Sequence, residues 1–431
     1  MEAARAHQIR LDPTPLQEQA FRQAAGNARF VYNKFLEWRR GMMIVYNEGG
    51  CDAKPRMQDL VKGLNRIKAE QFPFLTLFPI VVEGAGKNYE QACANWWDPK
   101  LKALAPKRKR KHEPRKFAAA LRGREIRIEG KRVHLRSFGW IRMREELRFE
   151  GVPKRAFISE RAGRWFISIS VTGEVDSTHY AAGETQAVGG VDAGVGNHIA
   201  VLSDGTKYEN PRAYRNRQRR LRRAQRKVSR RARKDAKGRL VKEQSANYAK
   251  AKKRLANEHY RAVCVRDDAI HNATTDIVRK CDVVVIETLN VEGMRKNRSL
   301  AKSVSDAAPA ELLRQIRYKM EWAGKRVIEA DRWFPSSQTC SACGYKNPDV
   351  KNLKVRKWTC PACGAVHHRD VNAAMTLQRY GEDIIAAETL PRCTREVTPT
   401  ESIVHLWTTT FGGHCLLDEV GSPRKGRSKR S

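Results

Sequence analysis

Ala187-Val188-Gly189-Gly190-Val191-Asp192 decides how this chain must be read. A short run of small and β-branched apolar residues, with no polar alternation, is suited to a strand covered on both faces. The run stops at a carboxylate. Gly194 and Gly196 follow, then a second strand from His198 to Leu202, and Ser203-Asp204-Gly205 turns the chain back. Downstream, Asp282-Val283-Val284-Val285-Ile286-Glu287 repeats the device: a continuous apolar strand ending in an acid. A helix is predicted from Leu312 to Trp322 and a strand from Val327 to Ala330. Another helix begins at Asp370 and runs through Leu377, with Asp370 at its N-terminus.

Asp192, Glu287 and Asp370 are 95 and 83 residues apart in sequence, yet each stands at a strand end or a helix start, where one sheet can gather them. Such an opening, strand, turn and strand with an acid closing the first, is how an RNase H-like core begins. Three carboxylates offer the oxygen donors that hard cations such as magnesium require. Two such ions about 4 Å apart can activate a water and relieve charge on the leaving oxygen of a phosphodiester. One acid at a strand end is ordinary surface chemistry; three in this order are a candidate catalytic set.

Between the second acid and the third lie two Cys-x-x-Cys-Gly knuckles. Cys340 and Cys343 are separated from Cys360 and Cys363 by sixteen residues, a spacing at which four thiolates close a tetrahedral zinc site. Gly344 and Gly364 follow the second cysteine of each knuckle, where the turn calls for a positive φ. His367 could replace a cysteine on zinc, but four suitably spaced thiols make it superfluous. Cys51, Cys93, Cys264, Cys281, Cys393 and Cys415 show no paired spacing and read as reduced thiols.

Charge identifies the partner class. The 431 residues carry 84 Lys and Arg against 47 Asp and Glu, a formal +37, so a polyanion is expected as counterpart. Between 211 and 260 there are twenty Lys or Arg and three acids, Asp235, Glu243 and Glu258. Sparse apolar residues make this a helix pair that packs poorly, suited to lying along a nucleic-acid backbone. No apolar run reaches the length of a spanning helix and no signal-peptide pattern opens the chain. A soluble, cytoplasmic protein associated with the nucleoid is the expectation.

Upstream, Thr14-Pro15 caps a helix carrying Leu16, Ala20, Phe21, Ala24 and Ala25, which Gly26-Asn27 is expected to end. A second helix carries Phe30, Val31, Phe35 and Trp38, and helical pattern continues through Leu60, Leu64 and Ile67 towards Tyr89 and Trp97. After the basic run Lys107 to Lys111, alternation marks strands at Ile126-Arg127-Ile128, Val133-His134-Leu135 and Ile141-Arg142-Met143, with a turn at Glu129-Gly130. Trp165 to Val171 adds another. With a first strand at His7 to Leu11, these suggest a small β-barrel interrupted by a helical insertion, its outward arginines and lysines facing phosphates. Thr172 to Thr185 reads as a linker. Pattern weakens beyond Tyr380, and Pro423 to Ser431 reads as a disordered basic tail.

Gly190-Val191-Asp192-Ala193-Gly194, Ile286-Glu287-Thr288-Leu289-Asn290-Val291, Trp333-Phe334-Pro335-Ser336-Ser337-Gln338-Thr339-Cys340 and Arg369-Asp370-Val371-Asn372-Ala373-Ala374 closely resemble the TnpB family, the OrfB-type proteins of bacterial insertion sequences. Arg29-Phe30-Val31-Tyr32-Asn33 is similar to the family's N-terminal helical motif. The resemblance implies an RNA-guided DNA endonuclease with a RuvC-type domain, related to the ancestors of type V CRISPR effectors. By the same resemblance it would support transposon maintenance and read a short adjacent motif in duplex DNA while the guide reads sequence. Asp192, Glu287 and Asp370 match the three RuvC carboxylates, binding two magnesium ions with manganese able to substitute. Cys340, Cys343, Cys360 and Cys363 match the inserted structural zinc element. Guide RNA and target double-stranded DNA are the implied partners of a monomer.

The implied multidomain α+β organisation places the first part of the wedge barrel at 1–13, a helical recognition insertion at 14–105 and the remaining barrel at 106–180. The RuvC-like domain takes 187–335 and 367–395 around a zinc ribbon at 336–366, with a tail at 396–431. One departure is His368, where the family commonly has an acid; the change would alter metal affinity or pH response. The alternatives are a miniature type V CRISPR effector, a guide-independent resolvase or transposase, and an RNA-guided DNA-binding regulator without cleavage. Loss of Asp192 or Asp370 would have favoured the last, and the carboxylate set is complete.

Overall fold

The computed structural model describes residues 2–50, 56–101, 103–110, 115–174, 186–241, 243–352 and 355–389. They divide into two compact units, Met1–Asp176 with Arg219–Arg261, and Ser177–Gln218 with Ala262–Ser431.

The first unit opens with β1 (Glu2–Asp12), then α1 (Pro15–Asn47), α2 (Met57–Gln71) and α3 (Pro79–Trp97). Thr14 caps α1: its hydroxyl accepts from the Gln17 amide while the Gln17 side chain accepts from the Thr14 amide, with Pro15 in the first turn. The helix does not end at Gly26-Asn27, as the sequence suggested, but runs unbroken for 33 residues. Gly26 keeps an ordinary helical φ, and buried Asn27 donates to the Phe74 carbonyl at 2.9 Å rather than capping. The buried stripe Phe21, Ala24, Ala28, Val31 and Phe35 continues in register through both, so packing overrides the weak glycine signal.

Six strands follow: β2 (Lys116–Ala120), β3 (Ile126–Glu129), β4 (Arg132–Leu135), β5 (Gly139–Met143), β6 (Val152–Arg161) and β7 (Arg164–Glu174). With β1 they form a seven-stranded sheet in the order β2-β6-β7-β1-β5-β4-β3. Every pairing is antiparallel, and β1 inserts between β7 and β5 although three helices separate it from them in sequence. Gly130, at φ 50°, makes the expected turn between β3 and β4. Strands β2 and β6 were not anticipated. The first is a nearly uniform run, Lys-Phe-Ala-Ala-Ala, and Pro153, Lys154 and Arg155 hide the alternation of the second. Sheet and helices share one core in which Phe21 meets Trp165, Phe117 and Phe138 at ring-centroid distances of 5.1, 6.0 and 5.3 Å. Of the expected linker, Thr172–Glu174 belong to β7, and the rest lies outside the described residues.

The second unit is built on β8 (Gln186–Asp192), β9 (His198–Leu202) and β10 (Lys207–Glu209). Next in the chain come α4 (Ala213–Arg231) and α5 (Ala246–Lys280), of which Arg219–Arg261 belongs to the first unit, and then β11 (Cys281–Glu287). The short helices α6 (Val291–Lys296) and α7 (Ala301–Ala307) precede α8 (Pro309–Trp322) and β12 (Arg326–Ala330). A small hairpin of β13 (Lys357–Thr359) and β14 (Val366–His368) leads into α9 (Arg369–Thr389), which continues well past Tyr380. The five-stranded sheet runs β10-β9-β8-β11-β12, with β8, β11 and β12 parallel and β9 and β10 antiparallel additions. Burial on both faces explains the unalternating sequences of β8 and β11. Val191, Val284 and Ile286 point to the core shared with α8 and the second half of α5, and Val188, Val285 and Leu377 to the core under α9. The tail expected at 423–431 lies outside the described residues.

Candidate active site and metal centre

Parallel register brings the first two acids together. Ile286 pairs with Val191, so Glu287 and Asp192 stand side by side at the C-terminal ends of adjacent strands, about 4.8 Å apart in a sheet of ordinary spacing. Side chains alternate along a strand; with Val191 and Ile286 facing α8, Asp192 and Glu287 face α9. Asp370 sits in the first turn of that helix. The helix approaches closely because β8 carries Gly190: a Cβ there would lie 1.9 Å from the Ala374 carbonyl oxygen and 2.5 Å from the Gln378 nitrogen. Only glycine permits this backbone-to-backbone seat.

Asp192 senses the other two acids. Burial raises the Asp192 carboxyl well above the usual carboxylate range, the charges of Glu287 and Asp370 push it further, and Arg369 and Arg356 oppose them. Burial also raises Glu287, which accepts a hydrogen bond from Ser336 Oγ. Asp370 Oδ1 accepts from Arg356 Nη1 at 3.1 Å, while Arg369 is buried and donates to the Asn352 carbonyl at 3.0 Å. A buried carboxylate such as Asp192, kept from ionising by burial and by neighbouring acids, gains from a divalent cation, and an oxygen-only donor set fits magnesium or manganese on that ground. Burial and the charge of Lys207 lower His368 below the usual imidazole range, against Asp370, and its Nδ1 is buried without a partner among the described residues. Sequence reasoning missed Ser336, Arg356 and Arg369. Ser336 and Arg369 lie in quoted motifs without having been given a role, whereas Arg356 is lost in a chain full of arginine.

The cysteines form a second centre. The ligand atoms of Cys340, Cys343, Cys360 and Cys363 all lie within 4.8 Å of one another. Cys340 and Cys363 sulfurs are 3.8 Å apart and Cys343 and Cys360 3.6 Å; a zinc tetrahedron with bonds of about 2.3 Å has edges of about that length. The knuckles are near copies: Gly344 at φ 80° and Gly364 at 72° each donate to the first cysteine's carbonyl at 2.9 Å. Although burial opposes it, the amides of Cys363 and Ala362 and the neighbouring thiols bring Cys360 down to about 7. Such a thiol is ready to bind metal near neutral pH. His367 does not displace a cysteine; its Nε2 lies 3.0 Å from Cys340 Sγ and its ring centroid lies 4.8 Å from that of Trp358, tilted by 42°.

In the first unit, a groove of about 270 Å3 between the basic helices is lined by Arg220, Arg223, Lys227, Arg231, Arg254 and Arg261. The single carboxylate there, Glu258, accepts from Arg261 at 2.9 Å. No described helix is long and apolar enough to cross a membrane.

Fold and site together define a mixed α/β multidomain protein with a four-cysteine element threaded between the second and third acids of a carboxylate cluster. Known proteins resemble this chain. Residues 168–298 match a family model described as "Probable transposase" (OrfB_IS605), and 310–377 match "Cas12f1-like, TNB domain". Residues 1–42 match a "Helix-turn-helix domain" model of the same OrfB_IS605 group, although here they form β1 and most of a single helix, α1. A Streptomyces pristinaespiralis protein named "Putative RNA-guided DNA endonuclease" is 34% identical over 386 residues, 88% of this chain and 90% of its own. "Putative RNA-guided DNA endonuclease InsQ" of Escherichia coli K12 is 28% identical over 423 residues, 94% of this chain and 99% of its own. This chain belongs to the TnpB family of OrfB-type proteins. Its fold also resembles the Cas12f1 protein solved with sgRNA and target DNA: TM-score 0.51 at 13% identity, over 88% of this chain and 99% of that one.

Proposed function

We propose that this protein is an RNA-guided endonuclease of a bacterial insertion sequence. It cleaves double-stranded DNA at a RuvC-type centre formed by Asp192, Glu287 and Asp370. What supports the reading is that Asp192 and Glu287 end adjacent parallel strands on the face turned to α9, and that Asp192 feels the charge of Asp370 in the first turn of that helix. The five-stranded sheet is then the RNase H-like core, the seven-stranded sheet the wedge barrel and the helices between β1 and β2 the recognition insertion. Residues 336–366 are the zinc ribbon. Two divalent ions bound by the carboxylates would supply an activated water and charge relief at the leaving oxygen.

The chain's own residues do the rest. Asp192 and Glu287, fixed by strand register, and Asp370, fixed by α9, hold the ions. Ser336 orients Glu287 through its hydroxyl, and Arg356 restrains Asp370 and balances its charge. Cys340, Cys343, Cys360 and Cys363 hold a structural zinc. The basic groove between α4 and α5 grips phosphates of the guide or target. Such a protein works in the cytoplasm on nucleoid DNA, as a monomer with its RNA. The OrfB_IS605 match favours an insertion-sequence setting over a CRISPR one.

The test is to purify the protein from its native locus, sequence the RNA that accompanies it, and assay cleavage of a matching DNA. A discrete RNA and guide-dependent, magnesium-dependent cleavage that Asp192→Asn, Glu287→Gln and Asp370→Asn each abolish, with DNA binding retained, are expected. Cleavage surviving all three substitutions, or only heterogeneous RNA, refutes the reading.

A further inference from the structure

We propose that the four-cysteine centre and the carboxylate cluster are one mechanical unit joined by Asn372, a positioning residue for Asp370; the proposal rests on Asp370 being a metal ligand. Asn372 lies two residues beyond Asp370 and is 1% exposed. Its side-chain oxygen accepts from the Ser341 amide at 2.9 Å and its nitrogen donates to the Thr339 carbonyl at 2.7 Å. One side chain therefore grips the backbone on both sides of Cys340. One turn on, Thr376 donates to the same Thr339 carbonyl at 3.3 Å. A further turn on, Arg379 donates to the carbonyls of Ser341 and, at 3.3 Å, Ala342.

Positions 372, 376 and 379 share one face of a helix, whereas residues two apart do not. Asp370 is therefore free to face the other acids while this face of α9 holds the cysteine knuckle. On another side, the Ala374 carbonyl is seated on Gly190. The helix bearing Asp370 is clamped between β8 and the knuckle Thr339–Ala342. Only Gly190 is fixed by the sheet. The knuckle, turned by the Gly344 and Cys340 backbone bonds, would be locked by a metal held by its four thiols, since zinc binding and local folding are linked. Zinc at the cysteines thus holds Asp370 in place from outside the active site, and Asn372 transmits that hold. Side chains placed in this way behind a metal site alter affinity by about 10–100-fold when removed.

The experiment compares the full chain bound to its guide RNA with Asn372→Ala and Arg379→Gln. Bound manganese is measured by electron paramagnetic resonance, zinc release to a chromophoric chelator by absorbance, and cleavage by its KM and kcat. Asn372→Ala is expected to weaken manganese binding about tenfold, release zinc faster and lower kcat, with KM for target DNA unchanged. Arg379→Gln, partly exposed and tolerant of change, should move each quantity the same way by less, and decides the matter if Asn372→Ala does not fold. Manganese binding equal to the parent, with only melting or zinc release altered, reduces Asn372 to a structural residue and overturns the proposal. Asp370→Asn is the control: if it leaves manganese binding intact, the ligand reading fails and the proposal falls with it, a result distinct from failure of the Asn372 link.

Discussion

Replacing Gly190 with alanine tests the geometry of the site without touching any of its ligands. The added Cβ would stand 1.9 Å from the Ala374 carbonyl oxygen, and contacts below 3.0 Å are essentially never seen for a real Cβ, so α9 must retreat by at least 1.1 Å. Both obstacles, the Ala374 oxygen and the Gln378 nitrogen, are backbone, so no side chain can swing aside to relieve the clash. Overpacking of this kind costs about 1–3 kcal/mol, which lowers the melting temperature of a unit this size by about 2–4 °C per kcal/mol. Because α9 carries Asp370, its displacement also separates the carboxylates, and a misplacement of about 1 Å is enough to cost on the order of 100-fold in rate. Gly190→Ala should therefore cleave guide-matched DNA about 100-fold more slowly while binding it normally. Gly26→Ala provides the opposite control. With nothing within 4 Å of the new methyl, it should raise stability by about 0.5–1 kcal/mol, alanine being the better helix former. Calorimetry and single-turnover cleavage read both. A Gly190→Ala protein that melts and cleaves like its parent would refute the seating of α9 on β8.

Lys319 is buried on α8, its ammonium donating to the His271 carbonyl and the hydroxyls of Thr274 and Thr275 at 2.7–2.9 Å; burial lowers it from 10.5 to about 8. Since the folded state gives up this proton before the unfolded state does, stability should rise from pH 8 to pH 10.5. Lys319→Met should abolish that rise, and thermal melts that stay parallel to the parent's across this range would refute it. Cys340→Ser and Cys360→Ser should each lose zinc, measured by elemental analysis, and melt at lower temperature; unchanged content and melting in both would dismiss the metal site. His368→Asp adds a carboxylate beside Asp370 and should shift the metal concentration for half-maximal cleavage; superimposable titrations would show that the position does not matter. Arg356→Gln removes the cation paired with Asp370 and should lower that concentration, an effect a magnesium titration would detect and an unchanged midpoint would refute.

Legibility in this sequence follows how locally each feature is encoded. Val188 to Asp192 and Val283 to Glu287 announced buried strands because a sheet covered on both faces leaves no room for polar alternation, and an acid at the end of such a run stands out against it. The knuckles were equally plain, since metal geometry fixes both the cysteine spacing and the glycine that follows. Asp370 needed no partner to be noticed, yet its meeting with Asp192 depends on register and on Gly190, which the chain alone did not disclose. What stayed hidden is encoded between distant residues. Asn27 looked like a helix end because asparagine and glycine favour one locally; it is instead a buried donor to Phe74, 47 residues away. Asn372 sat in view within the Arg369 to Ala374 motif, but its partners Thr339 and Ser341 are more than 30 residues distant. A motif residue can therefore be recognised from the chain while its task is not: Asp370 advertises chemistry by its type, and Asn372, an amide among alanines, acquires a role only when the fold brings the cysteine knuckle to its side.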